Sequence, residues 1–229
     1  NDALSDQEGY KIFYETKGPY QSSFLQPNFK FINQFPNPQR FNIKKKIKIY
    51  CKQLDKFKDN FDFIKIDTQG YNYNVLSGGI KKIKNTLAIE IEAEFVKIYK
   101  GQKLFEDTKT FLEKNNFIMI DFLNLRRWSW SRSHILGRLI FGNVLFIKDP
   151  IKLLKNYSQY KKLIVILIIY NKLDYASTLS KKLKISDRLQ INKLIKRKKA
   201  LLFFPTILFS LIFKFIRLFN KNFDYTLFP

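Results

Sequence analysis

Two apolar runs of strand length, FDFIKI at 61 to 66 and TLAIEIE at 86 to 92, stand on either side of one short segment of helical spacing. In that segment, YNYNVLSGGIKKIK, Tyr71, Val75 and Ile80 have rough helical spacing, and Gly78 and Gly79 offer a stop. A strand, a helix and a second strand joined this closely close up as a right-handed crossover, so the two strands are predicted to be parallel neighbours. The pattern then repeats. KLFEDTKTFLEKNN sets Leu104, Phe105, Thr108, Phe111 and Leu112 on one helical face, and FIMIDF at 117 to 122 follows as a third strand. A fourth, NVLFIKD at 143 to 149, follows RRWSWSRSHILGRLIFG, which has no clear helical period. Residues 117 to 122 and 143 to 148 are therefore expected to be antiparallel neighbours at one edge. The expected class is α/β.

Upstream, YKIFYE at 10 to 15 and KKKIKIYCK at 44 to 52 read as strands, separated by a loop in which Pro36 and Pro38 oppose regular structure. Downstream of Pro150 the composition changes, with 17 basic and 3 acidic side chains over 151 to 229. Helices are expected over about 152 to 172, 175 to 200 and 201 to 220, which divides the chain into an α/β part at 1 to 150 and a basic helical extension at 151 to 229. LLFFPTILFSLIFKFIRLF is broken by Pro205 near its start and by Lys214 and Arg217 near its end, so it suits a membrane interface better than a span. The basic run at 196 to 199 would meet anionic headgroups, and the core of a helical subdomain is the competing reading.

The formal charge of +23 draws the chain toward polyanions without choosing among them, and charge is the only support for a nucleic-acid partner, which is not expected. One cysteine, Cys51, and one histidine, His134, give no internal disulfide and no zinc cluster, so no metal is expected and a reducing, cytoplasmic setting is. The opening NDALSDQEGYKIFY has neither the charge nor the apolar core of a signal peptide and reads as the middle of a longer chain.

In an open parallel sheet, ligands sit beyond the carboxyl ends of the strands. Asp67 follows the first strand and Glu90 and Glu92 end the second, so Asp67 and Glu92 should share one rim. The alternative is that Asp67 caps the next helix through its carboxylate and the glutamates are solvated. Ser22 and Ser23 either line an acceptor opening or cap a turn. Trp128 and Trp130, among Arg126, Arg127, Arg132 and Arg138, suit either a packed loop or a surface that stacks on and pairs with a phosphorylated glycan or nucleic acid.

KIDTQGYNYNVLSGG resembles the KIDVEGxExxVLxG signature of the FkbM-type methyltransferases, S-adenosylmethionine-dependent enzymes that mostly methylate oxygens of sugars and related natural products. Further pieces follow in family order: ALSD (3 to 6), QSSFLQPN (21 to 28), LDKF (54 to 57), AIEIEAEF (88 to 95), IYKGQKLFED (98 to 107) and FGNVLFIK (141 to 148). The resemblance implies an incomplete Rossmann-like methyltransferase sheet with antiparallel last strands, followed by the C-terminal helical segment. It implies S-adenosylmethionine as cofactor and a sugar or glycan-like hydroxyl as acceptor.

It also places Asp67 toward the methionine end of the cofactor, with Gln69 as a further cofactor-binding residue, and Asp2 and Ala3 beside the adenine. Position 69 is Gln where the family usually has Glu, and the family's glycine-rich DxGAxxG loop, which precedes ALSD, is not among these residues. The chain thus holds at most the second half of the cofactor site. The expectation is a truncated methyltransferase, with a non-catalytic binding or membrane-associated module on the same fold as the alternative. A hydroxyl acceptor needs a base, for which Asp67 and Glu92 are the first candidates and His134 the third.

Overall fold

The computed structural model describes residues 2–18, 20–131, 137–153 and 156–219, with side chains placed as far as residue 202. Its residues fall into two compact units, 1–159 and 160–229.

In the first unit, β1 (Ala3–Leu4), β2 (Gly9–Thr16) and β3 (Ile43–Lys52) form a small sheet in the order β1-β3-β2. β2 is antiparallel to β3 and slips register between Glu15 and Thr16, while β1 runs parallel to β3, with Ala3 opposite Cys51. The proline-containing connection between β2 and β3 holds α1 (Phe29–Ile32) and a single 3-10 turn over Pro38–Phe41.

The larger sheet contains β4 (Phe63–Ile66), β5 (Ala88–Glu94), β6 (Phe117–Trp128) and β7 (Arg138–Lys148) in the order β4-β5-β7-β6. β4 and β5 are parallel, from Phe63 opposite Ala88 to Ile66 opposite Ile91, as their crossover spacing requires. β6 and β7 form a long antiparallel pair, and β7 also runs antiparallel along β5. β7 therefore lies between β5 and β6, because it pairs with both. This is the incomplete Rossmann-like sheet with antiparallel last strands.

The crossover from β4 to β5 is two short helices, α2 (Asn72–Ser77) and α3 (Ile80–Asn85), broken at Gly78 and Gly79. Gly79 presses on the Leu54 side chain, where a Cβ would lie 2.7 Å from Leu54 Cδ2. The β5-to-β6 connection contains α4 (Phe105–Lys114), whose first turn holds Glu106 and Asp107, favourable charges at a helix start. Val75, Leu76, Ile83 and Leu112 pack with Ile89, Ile91 and Phe146 in one buried cluster. Side chains alternate along a strand, so the other face of β5 carries Ala88, Glu90, Glu92 and Glu94. β5 runs two residues beyond the expected end at Glu92 and places Glu94 within the strand.

Past β7 come α5 (Pro150–Leu153), α6 (Tyr157–Ile169), α7 (Leu173–Ser180) and α8 (Ile185–Phe219). The expected helices at 175 to 200 and 201 to 220 are corrected here: the break falls at 181 to 184, and α8 runs unbroken through position 205. Turn hydrogen bonds from Lys182 N to Leu179 O and from Leu183 N to Ser180 O end α7, and Asp187 favours a new start in the first turn of α8. Within the second unit, Tyr160 Oη donates to Leu179 O at 3.0 Å and Lys161 pairs with Asp187 at 3.2 Å. Among the described residues, no helix is long and apolar enough to cross a membrane.

Candidate active site

β4 ends at buried Ile66, and the chain turns sharply through Asp67, Thr68, Gln69 and Gly70. Gln69 and Gly70 both have positive φ, 49° and 81°. Glycine is required at position 70 because a Cβ would lie 2.7 Å from Tyr99 Cδ2 and 3.0 Å from Gln102 Nε2, besides adopting a backbone that other residues resist. The turn is held from two sides. Ser23 Oγ donates to Gln69 O at 2.7 Å. Thr68 N and Oγ1 donate to Asn72 Oδ1 at 2.7 and 2.8 Å, and Asn72 Nδ2 donates to Glu92 O at 2.8 Å.

Among the described residues no side chain caps the start of α2, where Tyr71 holds the N-cap position, so the capping role that was open to Asp67 is not filled, and Asn72 instead ties Thr68 to the Glu92 carbonyl. The Asp67 side chain is exposed at the rim and accepts a hydrogen bond from Gln69 Nε2 at 3.3 Å.

Facing this turn, β5 presents Glu90, Glu92 and Glu94 at alternate positions, all buried. Glu90 is paired with Lys65 Nζ at 2.9 Å and accepts from Asn143 Nδ2 at 3.3 Å. Burial and the nearby Asp67 charge push the Glu92 pKa up to about 7, with Lys65 offsetting part of the rise. Glu94 is pushed up to about 8, first by burial and then by Glu92, while the Gln102 carboxamide works in the other direction. Near neutral pH one carboxyl of this pair thus holds a proton while the other exchanges one.

Gln69, Glu92, Glu94, Tyr99, Arg40 and Trp128 border a cavity of about 210 Å³. Tyr99 is fixed by its N–H to Gln102 Oε1 at 2.9 Å and by its hydroxyl, which donates to Gln21 O at 3.0 Å. Burial and the two glutamates raise its pKa, so it remains a neutral phenol.

Other candidates fall elsewhere. Asp2 pairs with Lys52 at 3.0 Å, which lowers its pKa, and Ala3 sits in β1; neither lines the cavity. Their segment is nonetheless tied to the site's helix: Ser5 Oγ and Tyr71 Oη are 2.9 Å apart, Tyr71 Oη donates to Asp6 Oδ1 at 3.2 Å, and Lys11 pairs with Asp6 at 3.1 Å. Ser22 accepts from Thr16 N at 3.0 Å and Ser23 holds the Gln69 turn, so both serve turns.

His134 lies outside the described residues. Trp128 packs against Phe31, Phe35 and Phe41, and Trp130 stacks on Phe35, so the tryptophans belong to a packed aromatic group. Among the described residues no group of His, Cys, Asp and Glu is arranged to hold a metal.

Sequence reasoning did not single out Glu94, Tyr99 or Arg40. The AIEIEAE alternation could have flagged Glu94 as sharing a face with Glu92, and the IYKGQ stretch contains Tyr99. Nothing local marks Arg40, which arrives from the proline-containing connection.

A parallel β4–β5 pair with acids at its carboxyl rim, continued by an antiparallel β6–β7 pair, is the second half of a Rossmann-type methyltransferase sheet. The family model for the methyltransferase FkbM domain matches residues 3–119, and the chain belongs to that family. It is in general terms a methyltransferase. Neither the curated proteins nor the solved structures compared with the chain provide a match.

Proposed function

We propose that this chain is the acceptor-facing part of an S-adenosylmethionine-dependent O-methyltransferase acting on a sugar or glycan-like hydroxyl. The observation that carries this reading is the convergence of Asp67, Gln69, Glu92 and Glu94 where β4 and β5 end, beside a cavity walled by Tyr99 and Trp128. The donor set fits one end of the cofactor: carboxylates at the rim suit the positive charges of its methionine portion. Asp67 and Gln69 would hold that portion, with Asp2 and Ala3 nearer the adenine on the strength of the resemblance. The cofactor, when bound, supplies an electrophilic methyl group.

The chain's own residues do the rest. Glu92, with a pKa of about 7, is suited to take the acceptor's hydroxyl proton on a carboxylate oxygen near neutral pH. Glu94, still largely protonated there, offers a donor that orients a hydroxyl or ring oxygen. The aromatic walls exclude water and suit the apolar face of a sugar ring. Lys193, Lys196 and Lys199 line one groove along α8, and this basic helix is proposed to contact an anionic membrane surface.

The reading is tested by calorimetry with S-adenosylmethionine on the 229-residue chain and on the same chain joined to the glycine-loop half of an FkbM-type enzyme. Without that loop, binding weaker than micromolar is expected, that is, less favourable than about −8.2 kcal/mol. The joined protein should bind the cofactor and transfer its labelled methyl group to a sugar. Binding by the joined protein without transfer to any hydroxyl compound would favour a non-catalytic module.

A further inference from the structure

A second cavity, of about 360 Å³, shares Arg40 and Trp128 with the carboxylate cavity and is bordered by Phe35, Asn37, Arg127 and Ser129. The two have opposite chemistry. Glu92 and Glu94 border the first, whereas among the described residues no acid borders the second and two arginines do.

The guanidinium carbon of Arg40 stands 4.9 Å from the Trp128 ring centre and 5.3 Å from that of Phe41, a cation–π contact with each. Its Nε is buried without a hydrogen-bond partner, and among the described residues no carboxylate pairs with it. A buried, unpartnered donor on a permanently charged group is costly unless something outside the chain satisfies it. Gln21 Oε1, from the border of the first cavity, is likewise buried without a donor among the described residues. Arg127 brings a second charge, steadied by Nη1 donating to Gly137 O at 3.1 Å. A planar guanidinium fork is the side chain best matched to the two oxygens of a phosphate or carboxylate.

We propose that the Arg40–Arg127 cavity is the anion subsite of the acceptor, so that the molecule methylated is an acidic sugar with its phosphate or carboxylate on Arg40 and its reacting hydroxyl toward Glu92. This rests on the methyltransferase reading for the hydroxyl end alone. Arg40 is the hinge between the two ends: it contributes to both walls, and its charge fixes which end of the acceptor enters which cavity. Ser129 and Asn37 at the border can serve the remaining anion oxygens.

The test is an equilibrium titration of the full chain read by tryptophan fluorescence, since both tryptophans, Trp128 and Trp130, lie at this aromatic group. The probes are glucose 6-phosphate, glucuronate, glucose, inorganic phosphate and a short single-stranded oligonucleotide. At least one of the two acidic sugars should bind about tenfold or more tighter than glucose. Arg40→Gln and Arg127→Gln should each weaken that binding by about tenfold. Arg40→Lys should recover only part of it, because an ammonium keeps the charge without the fork. Arg126→Gln, altering an exposed neighbour that does not border the cavity, should leave it unchanged.

Circular dichroism of each variant identifies any that fails to fold, and Arg127→Gln, at an exposed side chain, then decides the matter alone. Equal affinity for glucose and both acidic sugars, no binding of either acidic sugar, or an equal loss with Arg126→Gln overturns the proposal. Tighter binding of the oligonucleotide than of the acidic sugars overturns it in favour of a nucleic-acid site. The titration needs no cofactor and reads no methyl transfer, so its failure leaves the methyltransferase assignment standing, and failed transfer leaves this subsite standing.

Discussion

Replacing Glu94 by Gln tests whether the row of acids on β5 is held against its own electrostatics. Glu94 is 3% exposed, and its carboxyl keeps its proton up to about pH 8 rather than the 4.5 of an unperturbed glutamate. Between those values the folded chain binds more protons at this site than the unfolded chain does. Stability must therefore fall as pH rises: the contribution is complete below about 4.5 and is lost through about 8. At about 1.36 kcal/mol per pH unit, the full loss is on the order of 5 kcal/mol.

Gln keeps the shape and the hydrogen-bonding capacity and cannot ionise. In urea titrations followed by tryptophan fluorescence from pH 5 to 9, Glu94→Gln should equal the wild type within about 1 kcal/mol at the acid end. It should exceed the wild type by several kcal/mol at the alkaline end, with the gap widening by roughly 1 kcal/mol per unit through the neutral range. Glu92 titrates alongside and remains in both proteins, so the difference between them reports Glu94 together with its coupling to Glu92. Parallel curves at all pH values would refute the reasoning, because they would mean that Glu94 ionises alike in the folded and unfolded chains.

In the chain joined to the glycine-loop half, Asp67→Asn should cut turnover by about a hundredfold or more while leaving the unfolding midpoint nearly unchanged, since the exposed Asp67 carboxylate accepts from Gln69 Nε2 and does not cap α2. The same change removes one cause of the raised Glu92 pKa, so the acid limb of the pH–rate profile should move to lower pH; an unmoved limb would separate the two residues. Gly70→Ala should destabilise by about 2 to 4 kcal/mol in denaturant titrations, from the left-handed backbone and the collision with Tyr99, and a neutral result would contradict the tight approach.

Lys148, buried with Nζ donating to Ile83 O at 3.2 Å and to Asn115 O at 3.0 Å, has its pKa lowered to about 8 by burial. The unfolded chain binds its proton up to about 10.5, so stability should rise between about pH 8 and 10.5; the difference between wild type and Lys148→Met should isolate that rise.

What could be read from the chain was local or periodic. The FDFIKI and TLAIEIE runs and the helical spacing between them led to the parallel β4–β5 pair, and with it to Asp67 and Glu92 at one rim. The antiparallel β6–β7 pair was legible because no helix separates its strands. Arg40 and Tyr99 were not legible as partners. They reach the cavity from connections whose shape depends on tertiary packing, Arg40 on Trp128 and Tyr99 on Gln21 and Gln102. The boundary expected at 200 to 201 was misplaced because the basic run there gives way to an apolar tract, a change of composition that does not interrupt the helix. The observed break instead comes from turn hydrogen bonds after Ser180, which leave little trace in composition.

The turn after β4 is clamped by Ser23 from one side and by Asn72, through the Glu92 carbonyl, from the other. Its conformational entropy is thus surrendered when the protein folds and not when a ligand arrives. Association at this rim then requires little rearrangement of the backbone, and selectivity there rests on charge and on the release of water. A loosened clamp, such as Asn72→Ala, would show itself as slower, entropically disfavoured binding with the contacts of the bound state unchanged.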